Sequence, residues 1–136
     1  MGSPEGKLTP AQFEIMRLIW TSAAGLTIGE IWGAVRANRN VSRTTVLNLV
    51  DRLDKRNWLK RRKDQGVYRY VTRVERPAAE KQLTAEFVEE FFQGSASNLI
   101  MSLLGSKRIS KADVESLKQL LRNADADRSR QQKGTR

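Results

Sequence analysis

Residues 41–73 read VSRTTVLNLVDRLDKRNWLKRRKDQGVYRYVTR, and this stretch decides the fold. Ser42 stands where a helix N-cap belongs, because its hydroxyl can accept from a backbone N–H that lacks an intrahelical partner. Val46, Leu49, Val50 and Leu53 then recur at the three- and four-residue spacing of one apolar helical face. Asn57 follows Arg56, and asparagine is the commonest residue after glycine in the left-handed conformation that ends helices. Leu59–Lys63 and Val67–Thr72 are extended runs joined by Asp64-Gln65-Gly66, a plausible tight turn. A capped helix followed at once by a basic, aromatic-containing hairpin is the working end of a winged helix-turn-helix. Charge concentrates there too: from Arg36 to Arg73 there are 12 Lys/Arg against 3 Asp/Glu, a net +9 of the chain's formal +10.

Upstream, Thr9-Pro10-Ala11-Gln12 opens a first helix, with a threonine cap, proline at the first helical position and glutamine completing a capping box. Its apolar face is Phe13, Met16, Ile19 and Trp20, widened by Ile15 and Leu18, and it should end near Thr21–Gly25. Thr27-Ile28-Gly29-Glu30 is a second capping box, and Ile28, Ile31, Trp32 and Val35 point inward from the helix it starts. Ala37-Asn38-Arg39-Asn40 is a turn of residues that tolerate bent backbone. Two short helices on either side of such a turn form a helix-turn-helix.

Downstream, Arg76-Pro77 punctuates the chain, after which the charge is balanced and the pattern helical. Leu83, Phe87, Val88, Phe91 and Phe92 form one apolar group, and Leu99, Ile100, Leu103 and Leu104 another. Gly94-Ser95 and Gly105-Ser106 mark breaks. Ser110-Lys111-Ala112-Asp113 caps a last helix carrying Val114, Leu117, Leu120 and Leu121. The expected fold is therefore mainly α with a small β wing. A winged helix-turn-helix over 8–75 is followed by a helical dimerisation region over 76–122, with 1–7 and 123–136 disordered.

Composition narrows the function. The chain has 136 residues, 39% of them hydrophobic, which allows a modest core that dimerisation would support. A pI near 10.5 points to a polyanionic partner. There is no cysteine and no histidine, so disulfides, thiolate metal sites and His-dependent triads are excluded. No acidic cluster stands at ligand spacing, and neither metal nor cofactor is expected; an enzyme would have to work with carboxylates or lysines that show no convergent set. No run of about 18 apolar residues exists and no apolar leader opens the chain, so the expectation is a soluble cytoplasmic protein with no membrane insertion.

The front of the third helix offers Arg43, Thr44, Leu47 and Asn48 near its start, where a recognition helix comes closest to base edges. Asn48 suits adenine, Arg43 guanine or phosphate, and Thr44 and Leu47 a thymine methyl. Arg39, Arg52, Lys55, Arg61, Arg62, Lys63 and Arg69 are candidate phosphate contacts, which position the protein without specifying sequence. Phe87, Phe91, Phe92, Leu99, Leu103, Leu117 and Leu121 would expose a large apolar patch in a single chain. They are the candidate dimer interface, against the alternative that they fold back on the winged helix of their own chain.

Three stretches in order, LTPAQFEIMRLIW, VSRTTVLNLVDRLDKRNWL and the wing ending VYRYV, resemble the BlaI/MecI/CopY penicillinase-repressor family over about residues 8–122. The resemblance implies a homodimeric repressor whose winged helix binds an inverted-repeat operator in double-stranded DNA. It also implies release by cleavage in the C-terminal region by a membrane-bound sensor metallopeptidase, at a point that would fall at Ser102-Leu103, where antibiotic-responsive members have Asn-Phe. Asn57 replaces the family's usual glycine, and Gln65-Gly66 shifts the wing's glycine by one place. Without cysteine the chain does not fit the copper-responsive branch. Two other readings stay open: a ligand-responsive winged-helix regulator of the multiple-antibiotic-resistance type, and a winged helix used for protein contact.

Overall fold

The computed structural model describes residues 3–134, in the order α1 (Pro10–Trp20), α2 (Ile28–Arg36), α3 (Arg43–Lys55), β1 (Leu59–Asp64), β2 (Val67–Thr72), α4 (Arg76–Phe92), α5 (Ala96–Gly105) and α6 (Lys111–Gly134). The chain divides into two compact units, one ending at Glu86 and the other beginning at Phe87. The division falls inside α4 rather than at Arg76-Pro77. The reason is visible in the packing: Ala79, beyond that punctuation, is buried in the core of the first unit.

Helix starts in the first unit follow local chemistry. Thr9 and Thr27 each accept from the N–H of the third helical residue, Gln12 and Glu30, whose side chains reach back to the cap's own N–H. Ser42 accepts from Thr45 N–H at 3.1 Å. Each such cap is worth roughly 1 kcal/mol. The core lies among α1, α2, α3 and the base of the wing, and is made of Ile15, Met16, Ile19, Ile31, Val35, Val46, Val50, Leu53, Trp58, Leu59, Tyr70 and Ala79. Ile15 is therefore central in α1, whereas Phe13 and Trp20 are half-buried and meet edge to face at 5.7 Å.

The three indoles fasten connecting segments. Trp20 Nε1 donates to Val74 O at 2.9 Å, Trp32 Nε1 to Val41 O at 3.0 Å and Trp58 Nε1 to Glu5 O at 2.9 Å. A buried indole N–H needs such a partner, and each one here fixes a loop against a helix or the core.

The wing is an antiparallel hairpin in which Leu59 pairs with Thr72 and Asp64 with Val67. Gln65 and Gly66 both have positive φ, 51° and 81°, the two-residue hairpin turn whose twist matches the strands. On the far side of β2, Leu26 and Tyr70 exchange backbone hydrogen bonds at 3.1 and 2.8 Å. Gly25 makes this possible: at φ +85° a Cβ would stand 2.6 Å from Tyr70 O.

The termini differ from expectation. Ser3–Lys7 is not a loose lead, since Glu5 N–H donates to Arg56 O at 2.9 Å and Arg56 Nη1 to Lys7 O at 3.2 Å. From Asn123 the chain does not fray at once, because α6 runs on to Gly134. Its sequence there, ADADRSRQQK, holds no proline or glycine and is rich in residues with good helix propensity. Met1, Gly2, Thr135 and Arg136, expected to be disordered, lie outside the described residues.

In the second unit, α4 ends with Gln93 and Gly94 at positive φ and Gly94 N–H reaching Val88 O at 3.0 Å. Ser95 and Ser110 cap α5 and α6. α5 has no buried residue.

Candidate nucleic-acid interface

The front of α3 is set by what its back must bury. Val46, Val50 and Leu53 are fully buried, which turns Arg43, Thr44, Leu47 and Asn48 outward, all four exposed. The first turn carries no acidic residue, so the partial positive charge of the helix start faces solvent unopposed. Thr45 is less available than its neighbours: its hydroxyl shares a 2.9 Å hydrogen bond with that of Ser42.

The cations named from sequence fall into distinct groups. Arg43 and Arg52 are exposed and make no ion pair or side-chain hydrogen bond with the described residues. Lys55 forms an exposed pair with Asp51 at 3.0 Å, worth well under 1 kcal/mol and easily exchanged for a phosphate. Arg39 is bound to Glu14 at 2.8 Å, tying the turn after α2 to α1. Arg69 is the most committed of the set, with Glu30 at 3.0 Å, Gly25 O at 3.3 Å and Asp64 at 3.8 Å. Arg62 donates to Ala24 O at 3.0 Å. Arg39, Arg62 and Arg69 thus hold the wing and the turn in place, and Arg69 in particular is a brace rather than a free cation.

Strand register explains the split. Arg62 pairs with Arg69 on the hairpin face turned to the α1–α2 loop, while Arg61 and Lys63 pair with Tyr70 and Tyr68 on the other. That second face lies beside α3, because Tyr70 is buried in one core with Val50 and Leu53 of that helix. Burial pushes the Tyr70 phenol up, so it stays a neutral hydroxyl throughout the physiological range. Tyr68 is half exposed, with the Arg61 guanidinium 4.2 Å and the Lys63 ammonium 5.8 Å from its ring centre. Stacking of this kind holds two long cationic side chains in place while leaving them charged.

Glu30 works from the opposite side of the wing. Its carboxyl is held below the usual glutamate range, first by the backbone N–H and hydroxyl of Thr27 and then by the Arg69 guanidinium. One carboxylate therefore serves as both helix cap and wing anchor.

Sequence reading missed four residues. Lys60 is exposed on β1 and without an ion pair to the described residues, yet it stood in the same basic run as Arg61 and could have been counted with it. Tyr68 was legible only as part of VYRYV; its position across from Lys63 follows from the two-residue turn. Lys7 and Glu5 touch Arg56 and Trp58 across some 50 residues of sequence, and no local pattern signals that.

A cleft of about 310 Å³ opens behind the helix-turn-helix, lined in part by Glu14, Arg17, Leu18, Thr21, Asn38 and Arg76. Among the described residues no group of three or more metal-ligating side chains comes together, and no helix is long and apolar enough to cross a membrane.

In the second unit, Phe87, Phe91, Leu103 and Leu121 are exposed, and Phe92, Leu99 and Leu117 half-buried. Met101, Leu104 and Leu120, exposed by 68, 48 and 62%, extend the apolar surface beyond the seven residues named from sequence. Ser102 and Leu103 lie within α5 and are exposed.

A family model described as "Penicillinase repressor" matches residues 8–123. The methicillin resistance regulatory protein MecI of Mammaliicoccus sciuri is 23% identical over 115 residues, spanning 85% of this chain and 93% of its own length. A penicillinase repressor of Staphylococcus aureus is 21% identical over 121 residues, spanning 89% of this chain and 95% of its own. Among solved structures, a MarR family protein from Bacillus stearothermophilus is 21% identical with a TM-score of 0.47, covering 90% of this chain and 76% of that one.

Proposed function

This chain belongs to the penicillinase repressor family, and from that premise we propose that it is a homodimeric transcriptional repressor that binds an inverted-repeat operator. In this reading it is a DNA-binding regulator and not an enzyme, and it acts in the cytoplasm, where its DNA lies. α3 enters the major groove with Arg43, Thr44, Leu47 and Asn48 toward base edges. Arg52, Lys55, Arg61 and Lys63 meet the flanking phosphates.

The observation that carries the reading is the arrangement of cations on the wing. Arg61 and Lys63 are held against Tyr68 on the hairpin face beside α3, while Arg62 and Arg69 brace the opposite face. An accidental basic surface has no reason to separate braced from unbraced cations in this way. The second unit supplies the other requirement. A single short reading helix contacts few base pairs, and two copies paired through α4, α5 and α6 double that contact. Exposed Phe91, Met101, Leu120 and Leu121 are the side chains such pairing would cover.

Release by proteolysis fits one feature: α5, which contains Ser102 and Leu103, has no buried residue and would open at little cost to admit a protease. The membrane-bound sensor metallopeptidase is then the expected agent.

The test is a titration of duplex DNA from the region upstream of the coding sequence, repeated across a salt series. Selective, salt-sensitive binding is expected. Lys63→Ala should weaken binding to all sequences alike and lower the slope of log affinity against log salt by about one unit. Selective binding with an unchanged slope would remove Lys63 from the phosphate set. No selective binding by the unaltered chain would end the repressor reading.

A further inference from the structure

The segment Ser3–Lys7 lies outside the residues that the family model matches, and it crosses the joint where α3 becomes the wing. Arg56 closes α3, Asn57 takes a left-handed turn at φ 66°, and Trp58 begins the descent into β1. Every residue of this joint is held from the N-terminal side. Glu5 N–H caps the Arg56 carbonyl, one of the acceptors a helix end leaves unpaired. The Trp58 indole donates to Glu5 O, Arg56 Nη1 donates to Lys7 O, and Asn57 Nδ2 reaches Ser3 O at 3.5 Å.

Two further features show that the fit is close. Gly6 sits at φ +75°, and a Cβ there would stand 2.7 Å from Arg56 Nη1. Arg56 Nη2 is buried without a hydrogen-bond partner, while Nη1 of the same guanidinium is engaged by Lys7 O. Trp58 O also accepts from Arg73 N–H at 3.0 Å, which ties the end of β2 to the same joint. The angle between α3 and the hairpin therefore depends on what holds Arg56, Asn57 and Trp58.

We propose that Ser3–Lys7 is a positioning strap that fixes the wing relative to the recognition helix, so that base contacts from α3 and phosphate contacts from the wing are made together. The strap touches no DNA in this account; it acts through Arg56 and Trp58. The inference rests on the DNA-binding reading above. Non-specific DNA attraction follows total charge, and the strap contributes Glu5 and Lys7, which cancel. Specific binding needs both contact sets at once. Loosening the strap should therefore lower the ratio of specific to non-specific affinity and leave non-specific affinity nearly unchanged.

The experiment uses the full chain and three variants: deletion of residues 2–7, Gly6→Val and Trp58→Phe. Gly6→Val forces a branched side chain into a left-handed position against Arg56, and Trp58→Phe removes the indole donor while keeping a buried ring. Each is titrated with a duplex selected by the unaltered chain from random sequence, and with a scrambled duplex, at a temperature where far-UV circular dichroism reports a folded protein. The expected result is about a tenfold fall in the specificity ratio, a change of less than twofold on scrambled DNA, and faster hydrogen exchange at Arg56, Asn57 and Trp58. If the deletion does not fold, the two point variants decide. An unchanged ratio in folded Gly6→Val and Trp58→Phe overturns the strap, as does a fall that matches the fraction unfolded. Failure of the unaltered chain to prefer its selected duplex would instead overturn the repressor reading itself.

Discussion

The two units use their apolar residues in opposite ways. In the first, Ile31, Val46, Val50 and Leu53 are fully enclosed by α1, α2, α3 and the wing base. In the second, Phe91, Met101, Leu120 and Leu121 stand 58–68% exposed, on helices as regular as those of the first. Both units are helical with apolar residues spaced along their helices; only the first encloses them. An amphipathic helix states that something will cover it and leaves open whether the cover comes from its own chain. The first unit finds its cover internally, and on the proposed reading the second finds it in another copy.

The contrast can be broken most sharply by one substitution made in both places. Leu53→Ala should cost about 2–5 kcal/mol in denaturant unfolding, because it empties a filled site. Leu120→Ala should change the unfolding of a dissociated protomer by less than about 0.5 kcal/mol. A cost near that of Leu53 in dilute protein would mean that α6 is covered by its own chain.

A smaller effect tests who covers the second unit. Phe91→Ala should raise the dimer dissociation constant by roughly 10- to 30-fold in sedimentation equilibrium, the order expected when a buried aromatic anchor is truncated. Unchanged dissociation would move the interface elsewhere on these helices, and a monomer at all concentrations in the unaltered chain would abolish it.

The smallest effect belongs to the wing brace. The Glu30 carboxyl has a lowered pKa in the folded protein, so the stability it contributes is fully present above its unfolded value and is lost as pH falls through the folded one. The window lies below about 4.3, the ordinary glutamate value. Glu30→Gln should flatten the dependence of melting temperature on pH in that window and leave the neutral range with only a small loss. An equally steep acid limb in the variant would mean that other carboxylates dominate it.

Much of the architecture was legible because its signals are local. Thr9, Thr27, Ser42 and Ser110 mark helix starts through bonds to residues three places away, and Asn57 marks a helix end through its own backbone preference. The hairpin itself was legible, but its turn is one residue shorter than the Asp64-Gln65-Gly66 read from sequence, because Asp64 pairs with Val67 and extends β1. Less legible was the role of each cation. Arg39, Arg62 and Arg69 look like Arg52 and Arg61 in the sequence, and their partners lie 25, 38 and 39 residues away. The strap escaped for the same reason: its polar residues carry no period, and its partners are at the far end of α3.

Sequence alone therefore determined the order of elements, the inward face of α3 and, by consequence, the outward set Arg43, Thr44, Leu47 and Asn48. Burying one side of a helix leaves no freedom about the other. Tertiary structure decided which charges are braced and which are unengaged, that Ala79 of α4 belongs to the first core, and that Ser3–Lys7 is hydrogen-bonded to Arg56 and Trp58. Those outcomes depend on long-range hydrogen bonds and ion pairs. Whether such a pair forms is set by where the fold brings its members, and neither residue type nor spacing encodes that.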